Sequence, residues 1–179
     1  SNAVTIEGNV TAFEDPKPFI HFSQVPAMKN ARQQMVYQFA HSLSGFDHPI
    51  RFMDIGCGDG ALTIQLLSHL KGSGKVNGFS EILLIDSSSA MIALAKKNVE
   101  SAFPGVPVTT ENARIQDCSS SIDRRYDIAM SSLAYHHMPV EDKRTHLARI
   151  RPWIDHFLLF EMAADHDTPD IHSPALALA

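Results

Sequence analysis

The sequence predicts an α/β fold, in which a mostly parallel sheet lies between two layers of helices as a three-layer α/β/α sandwich. Short apolar runs alternate with segments of helical periodicity, which is the pattern of successive strand–helix–strand units. Two of the runs, "ILLI" at 82–85 and "FLLF" at 157–160, are apolar at every position, as expected of strands covered on both faces. About five strands are visible, and ligands of such sheets lie beyond the carboxyl ends of the strands.

The bulk composition is typical of one globular domain without a nucleic-acid-binding surface. The 179 residues are 44% hydrophobic and 20% charged, with a net charge of −5 that argues against nucleic acid as a partner. No apolar run approaches the roughly 20 residues that cross a membrane, so we expect no membrane partner. The two cysteines, Cys57 and Cys118, suggest neither a disulfide framework nor a metal site, and a cytoplasmic location fits them best.

The first 44 residues precede the alternating pattern. Residues 1–3, Ser-Asn-Ala, resemble the remnant of a cleaved tag, and residues 4–24 are interpreted as an irregular arm with two prolines. A helix is predicted from near Pro26 to about Gly45. Its apolar stripe consists of Met28, Met35, Val36, Phe39 and Leu43. We expect residues 4–44 to act as an arm and a lid helix over the ligand site.

Residues 45–162 carry the elements of the predicted core. The predicted strands are residues 50–55, 82–86, 106–110, 126–131 and 156–160. The predicted helices are residues 61–70, 89–99 and 140–151, and the loop is residues 71–80. Either Ser87 or Ser88 is expected to cap the second of these helices. Residues 163–179 form a tail whose apolar end, "ALALA", suggests that the natural chain continues past Ala179.

A glycine-rich turn follows the first core strand, in the stretch "RFMDIGCGDGALTIQLL". Gly56 permits a tight turn, Gly58 lets a ligand approach the backbone, and Gly60 completes the series. With Ala61, the first two glycines also satisfy the G-x-G-x-x-G/A pattern of nicotinamide dinucleotide sites. The glycines alone therefore leave the ligand open.

Two acidic residues narrow this choice. Asp54 lies two residues before the first glycine, where a carboxylate would repel a pyrophosphate by on the order of 1 kcal/mol or more. The same carboxylate suits S-adenosylmethionine, which carries a sulfonium, an amino group and no phosphate. Asp86 ends the second core strand and can accept hydrogen bonds from both ribose hydroxyls, a contact that both cofactors share. The two acids together favour the methyl donor over the dinucleotide.

Four successive segments resemble motifs of the class I S-adenosylmethionine-dependent methyltransferases, which have a Rossmann-like fold. The segments are "DIGCGDG", "LLIDSSSAMIALAKKN", "ENARIQD" and "YDIAMSSLAYHHM", and the resemblance covers roughly residues 50–160. The resemblance implies an enzyme that transfers a methyl group from S-adenosylmethionine to an acceptor by in-line displacement and leaves S-adenosylhomocysteine. The last two strands of the family's usual sheet are not visible in this sequence.

The resemblance also assigns roles to residues around the turn. The glycines at 56, 58 and 60 would line the methionine part of the cofactor, and Asp54 would face its amino group. Cys57 is interpreted as a small residue of the tight turn within the same site. Asp86 would bind the ribose with Ser87 beside it, and Met91 would pack near the adenine.

Two further segments complete the implied site. The family usually has an acid and a small residue after the third strand to grip the adenine amino group, and this chain has Asn112 and Ala113 there. The asparagine oxygen can still accept from that amine, without a charge. Ser131, after the fourth strand, would shape the cofactor wall.

His136 and His137 are the candidate catalytic residues. They follow the fourth core strand, near the expected position of the methyl group, where a histidine can act as a general base. The alternative interpretation is that the pair packs or caps the next helix. Since no extra recognition domain is visible and the net charge is negative, we expect a small-molecule acceptor.

Two other hypotheses stay open at this point. The first is a nicotinamide-dependent oxidoreductase, which the glycine pattern permits. The second is a non-catalytic subunit that binds S-adenosylmethionine or a partner. Without two further strands, the flank of the strand at 156–160 would be uncovered, and a homodimer could cover it.

Overall fold

Strands and helices alternate through most of the described part of the chain. The computed structural model describes residues 6–7, 19–25, 29–118, 122–134 and 139–162. The strands are β1 (Ile6–Glu7), β2 (Phe19–Val25), β3 (Ile50–Ile55), β4 (Phe79–Asp86), β5 (Val108–Asn112), β6 (Tyr126–Ala134) and β7 (Ile154–Met162). The helices are α1 (Lys29–Ser42), α2 (Ala61–Gly72), α3 (Ser89–Ala102), α4 (Ile115–Cys118) and α5 (Val140–Ile150). A 3₁₀ turn, Arg151–Trp153, leads into β7.

One sheet with the strand order β1-β2-β7-β6-β3-β4-β5 contains all of these strands. The five predicted strands lie side by side and are all parallel, in the order β7-β6-β3-β4-β5, which confirms the predicted fold class. From β3 the chain proceeds outwards to β4 and β5, and then returns to form β6 on the other side of β3. The carboxyl end of β3 is therefore the switch point of the sheet, where ligands of open α/β sheets bind.

Two apolar clusters cover the two faces of the sheet. One joins Phe52 and Ile128 of the sheet to buried residues of α1, α2 and α3. The other joins Met53 and Phe157 to buried residues of α4 and α5. Alternate residues of each strand thus pack under different helices, as they must in a three-layer sandwich.

The N-terminal segment contributes two strands that the sequence interpretation missed. β2 pairs in parallel with β7, from Phe19 opposite Phe157 to Val25 opposite Met162, and β1 pairs with β2 in the antiparallel sense. The prediction of an irregular arm over residues 4–24 is therefore wrong for residues 6–7 and 19–24. The expectation of an uncovered flank beside β7 is wrong for the same reason, because β2 supplies partners for the backbone groups of that edge. The sequence "FIHFSQV" is rich in aromatic and β-branched residues, which favour such pairing.

Helix α1 begins at Lys29 and packs on the sheet through the described residues of the predicted stripe, whereas Met28 lies outside the described residues. Met35, Val36 and Phe39 are fully buried in the cluster that α2 also joins. Their burial makes α1 a member of one helical layer. Its additional role as a lid stays a prediction.

Several boundaries differ from the predicted ones. The predicted loop at 71–80 is shorter, because α2 continues to Gly72 and β4 already begins at Phe79. β5 lies two residues later than predicted, and the short α4 was not predicted. Within the described ranges, none of the helices combines the length and the apolar character that crossing a membrane requires.

Candidate functional site

The glycine-rich turn joins β3 to α2 at the switch point of the sheet. Gly56, Gly58 and Gly60 have φ angles of 81°, 55° and 85°, a region that residues with a Cβ atom rarely adopt. A Cβ atom on Gly60 would lie 3.1 Å from Cγ2 of Val99 and 3.4 Å from Cα of Ala95, so this glycine permits close packing of α3. A Cβ atom on Gly58 would meet nothing within 4 Å. Gly58 is therefore the glycine whose backbone stands open to a ligand.

The end of β4 holds this turn in place. The backbone N–H groups of Gly56 and Cys57 donate to the Ile85 carbonyl oxygen at 2.7 Å and 3.0 Å. The Gly58 N–H donates to Oδ2 of Asp86 at 2.9 Å. Oδ1 of Asp86 accepts from the backbone N–H of Ser88 at 2.9 Å. One carboxylate thus links the turn to the start of α3.

This linkage is a role of Asp86 that the sequence did not reveal. A carboxylate oxygen has two lone pairs, so each oxygen of Asp86 retains one for a further donor such as a ribose hydroxyl. Ser88, rather than Ser87, caps α3, because its hydroxyl oxygen accepts from the Met91 N–H at 3.3 Å. Ser87 is exposed, and Met91 is 44% exposed in the first turn of α3. Both therefore lie at the surface beside Asp86.

The residues after β5 also contact Asp86. Nδ2 of Asn112 and the backbone N–H of Ala113 both donate to the Asp86 carbonyl oxygen at 3.0 Å. Because the Asn112 amide nitrogen is engaged there, its Oδ1 atom is the group that can accept from a ligand. The structure thus gathers the predicted residues of β3, β4 and β5 around one edge of the sheet.

Asp54 occupies a different environment from that of Asp86. Its side chain is 1% exposed, and the Thr63 hydroxyl donates to its Oδ2 atom. Its Oδ1 atom is buried without a hydrogen-bond partner among the described residues. Burial, with a contribution from the nearby charge of Asp86, raises the pKa of Asp54 to about 7, although the Thr63 hydrogen bond opposes this rise. The repulsion of a pyrophosphate expected from Asp54 therefore requires a pH above about 7, where this carboxyl group is ionised.

Two other predicted site residues are also buried. Burial and the neighbouring carboxylates raise the pKa of the Cys57 thiol far above its usual range, which fits the interpretation of Cys57 as a small residue of the turn. Ser131 is fully buried opposite Ile55, and its hydroxyl has no hydrogen-bond partner among the described residues. The candidate catalytic residues His136 and His137 lie outside the described residues.

Sequence reasoning missed two polar side chains that support the turn. Thr63 is fully buried in the first turn of α2 and contacts Asp54, as described above. Nδ2 of Asn98 donates to the Asp59 carbonyl oxygen at 2.9 Å and so connects the turn to α3. Thr63 could have been found, because it shares the helical spacing of Leu66, Leu67 and Leu70 on the buried face of α2.

Comparison with protein families identifies the class of this chain. Residues 52–155 match the family model described as "Methyltransferase domain". This match covers more than half of the chain, so the chain belongs to the methyltransferase domain family. The resemblance inferred from the four motifs is therefore confirmed at the level of the family.

One curated relative is a malonyl-[acyl-carrier protein] O-methyltransferase of Priestia megaterium (strain DSM 319 / IMG 1521). It is 32% identical over 121 residues, which are 64% of this chain and 38% of the relative. The chain thus spans well under half the length of this relative.

Solved structures with a similar fold include monomeric WbdD, with a TM-score of 0.57 and 18% identity over 90% of this chain and 39% of that chain. A structure described as the bifunctional kinase-methyltransferase WbdD gives a TM-score of 0.56 and 18% identity, over 86% of this chain and 35% of that chain. At this level of identity, the similarity supports the fold alone.

Proposed function

We propose that this chain binds S-adenosylmethionine at the glycine-rich turn and transfers its methyl group to a small-molecule acceptor. The observation that carries the proposal is the turn itself. Residues 56–60 are tied to Ile85 and Asp86 at the switch point of a methyltransferase-domain sheet, and Gly58 is left open. Nicotinamide dinucleotides fit this arrangement less well, because the family of the chain and the acid at position 54 both favour a cationic donor without phosphates.

Each part of the cofactor has a partner of suitable chemistry. The remaining lone pairs of Asp86 accept from the ribose hydroxyls, and Oδ1 of Asn112 accepts from the adenine amino group. The exposed thioether of Met91 packs against the adenine ring. Asp54 faces the amino group of the methionine part. These contacts would place the sulfonium methyl group beyond the carboxyl ends of β3 and β6.

Methyl transfer then proceeds as a direct displacement. A bond forms between the acceptor atom and the methyl carbon while the carbon–sulfur bond breaks, and the bonding electrons return to sulfur to give the neutral thioether of S-adenosylhomocysteine. Holding the two reactants in line supplies much of the rate enhancement, since orientation alone can lower a barrier by several kcal/mol. A base is needed only when the acceptor atom carries a proton, and His136 and His137 are the candidates for that role.

The class of acceptor follows from weaker observations. The negative net charge argues against nucleic acid, and the name of the curated relative adds a carboxylate on a carrier protein as a second acceptor to test. A carboxylate acceptor is already deprotonated at neutral pH, so it would need no base. The cytoplasmic location remains part of this proposal, whereas the reason for expecting a homodimer no longer holds, because β2 covers the flank of β7.

Calorimetric titration with S-adenosylhomocysteine and with NAD tests the proposal. We expect saturable binding of S-adenosylhomocysteine and none of NAD at the same concentration. The opposite result would favour the oxidoreductase. Binding of S-adenosylhomocysteine without transfer from labelled S-adenosylmethionine to any acceptor tried, small carboxylates and carrier-bound malonate included, would favour the non-catalytic subunit.

A further inference from the structure

The unpaired oxygen of Asp54 requires an explanation. A buried polar atom without a hydrogen bond costs on the order of 1–3 kcal/mol, so native proteins retain few of them. Oδ1 of Asp54 is such an atom, whereas Oδ2 of the same carboxyl group accepts from Thr63. The two oxygens of one side chain therefore have different surroundings, and only one of them is satisfied by the described protein.

Helix α2 creates this asymmetry. Alternation along β3 puts Asp54 on the same face of the sheet as Ile50 and Phe52, which pack under α1, α2 and α3. Thr63 is the third residue of α2, so its hydroxyl reaches the carboxylate from the positive end of the helix dipole. The glycine-rich turn joins these two elements and leads directly from Asp54 to α2.

We infer that Thr63 is a positioning residue for the cofactor: its hydroxyl holds Asp54 through Oδ2 and so directs Oδ1 to the ammonium group of the donor. This inference rests on the proposed function and deepens it. It gives Thr63, which touches no ligand, a role in the recognition of the ammonium group of the cofactor. Thr63 is fully buried, so it acts through Asp54.

A pH dependence of cofactor binding follows from this arrangement. Only the ionised form of Asp54 can pair with an ammonium group, and burial raises the pKa of the free carboxyl group to about 7. The groups that face it are the carboxylate of Asp86 at the end of β4, the thiol of Cys57 in the turn and the hydroxyl of Thr63 in α2. The carboxylate of Asp86 disfavours ionisation of Asp54, and the Thr63 hydrogen bond favours it. A bound ammonium group would lower the pKa of Asp54 and displace its proton.

The experiment compares two ligands that differ in the amino-acid part. S-adenosylhomocysteine carries the ammonium group, whereas 5′-methylthioadenosine keeps the adenosine and lacks the amino acid. We expect Thr63→Val to raise the Kd of S-adenosylhomocysteine about tenfold at pH 7.5, the usual effect of losing a hydrogen bond to a charged group. The Kd of 5′-methylthioadenosine should change less than about twofold, because that ligand does not contact Asp54.

Two further variants separate positioning from packing. Thr63→Ser keeps the hydroxyl and should restore the wild-type Kd, while the methyl group that it loses affects only packing. Asp54→Asn should weaken binding of S-adenosylhomocysteine, and adding Thr63→Val to it should have little further effect, because the two residues act through one contact.

The pH profile of the wild-type protein supplies a test without any substitution. The Kd of S-adenosylhomocysteine should rise as the pH falls through about 7, since Asp54 takes up a proton there. Thr63→Val should move this midpoint to a higher pH, and Asp54→Asn should abolish it.

Three results would overturn the inference. They are an equal loss of affinity for both ligands in Thr63→Val, additive effects in the double variant, and a flat pH profile of the wild type between pH 6 and 8. Failure of the proposed function looks different, because the wild-type protein would then bind neither adenosine ligand at any pH.

Discussion

The carboxylates at the two ends of the central strands differ in how far the protein itself satisfies them. At the amino-terminal end, Asp127 accepts from Nε2 of His48 at 2.9 Å and from the backbone N–H of Arg51 at 2.8 Å. Glu81 accepts from the Tyr126 hydroxyl at 3.2 Å and lies 3.5 Å from Nε of Arg51. These carboxylates are satisfied by the protein itself.

At the carboxyl-terminal end, polar groups are left incomplete. Oδ1 of Asp54 and the hydroxyl of Ser131 are buried without hydrogen-bond partners among the described residues. Completed networks add to stability, whereas an unpaired carboxylate oxygen at the switch point of the sheet supports the proposal of a ligand there. The contrast teaches that charged residues alone do not mark a site, since both ends of the sheet have them.

The sharpest test of this contrast uses two acids of the same strand. Asp86→Ala removes the acceptor that holds Gly58 and the proposed ribose contact, so we expect the Kd of S-adenosylhomocysteine to rise about a hundredfold or more. Glu81→Ala, at the other end of β4, should cost about 1 kcal/mol of unfolding free energy and leave that Kd unchanged. Calorimetry and urea unfolding measure the two effects. A similar loss of affinity in both variants would contradict the contrast.

A second pair of variants tests the open glycine. Gly58 and Gly74 have φ angles of 55° and 78°, and a Cβ atom on either would meet nothing within 4 Å. Alanine at either position should therefore cost a similar amount of backbone strain, about 1–2 kcal/mol. Only Gly58→Ala should also weaken S-adenosylhomocysteine binding, by about tenfold or more, because its Cβ atom would occupy the path of the ligand. Equal affinities of the two variants would show that Gly58 serves the turn and no ligand.

A smaller effect is expected at the adenine end. Asn112→Ala removes the proposed acceptor of the adenine amino group, and the loss of one neutral hydrogen bond should raise the Kd about fivefold. Thr110→Ala, an exposed position of the same strand, serves as the control. A second ligand, in which oxygen replaces the adenine amino group of S-adenosylhomocysteine, should bind wild type and Asn112→Ala with similar Kd values. The assignment of Asn112 would be wrong if the substitution raised the Kd of both ligands by the same factor.

The smallest effect concerns the amino-terminal end, where His48 contacts Asp127 and Asp47. These hydrogen bonds raise the pKa of His48 above its usual value near 6.5. The pair therefore contributes its full stabilisation below that value and loses it as the pH rises through the raised pKa. At pH 5 the wild type should have a slightly higher midpoint of thermal unfolding than His48→Gln. This difference between the two midpoints should become smaller as the pH is raised to 9. A pH-independent difference between the two proteins would exclude this linkage.

Sequence patterns predicted the parallel core well, because its strands carry local signals, and the same signals place the candidate site residues at the carboxyl ends of these strands. The run at 50–55 has an acid, Asp54, as its second-last residue, the run at 82–86 ends in Asp86, and the glycines follow the first run at fixed spacing. The pairing of β2 with β7 was not predictable in the same way, since it joins segments from distant parts of the chain. The aromatic and β-branched composition of residues 19–25 indicates that they form a strand, but it does not indicate which strand they pair with.

The chemistry of the candidate site depends on contacts that the sequence patterns do not contain. The pKa of Asp54 depends on its burial and on Thr63, and neither follows from the motif that contains Asp54. The carboxylate of Asp86 was assigned to a ligand, whereas in the structure it also holds Gly58. The first feature depends on packing within the β3–α2 unit and the second on a contact between this unit and β4, and a sequence motif describes neither.

The pairing of Phe19 with Phe157 also has a kinetic consequence. A sheet in which an early strand lies beside a late one cannot be completed until the chain between them has been synthesised and ordered. Pairings of such high contact order form slowly, because the entropy of closing the loop is lost before the contact is gained. The core strands β3 to β6 lie closer in sequence and can assemble first. During synthesis and refolding, β2 is therefore expected to join the sheet last.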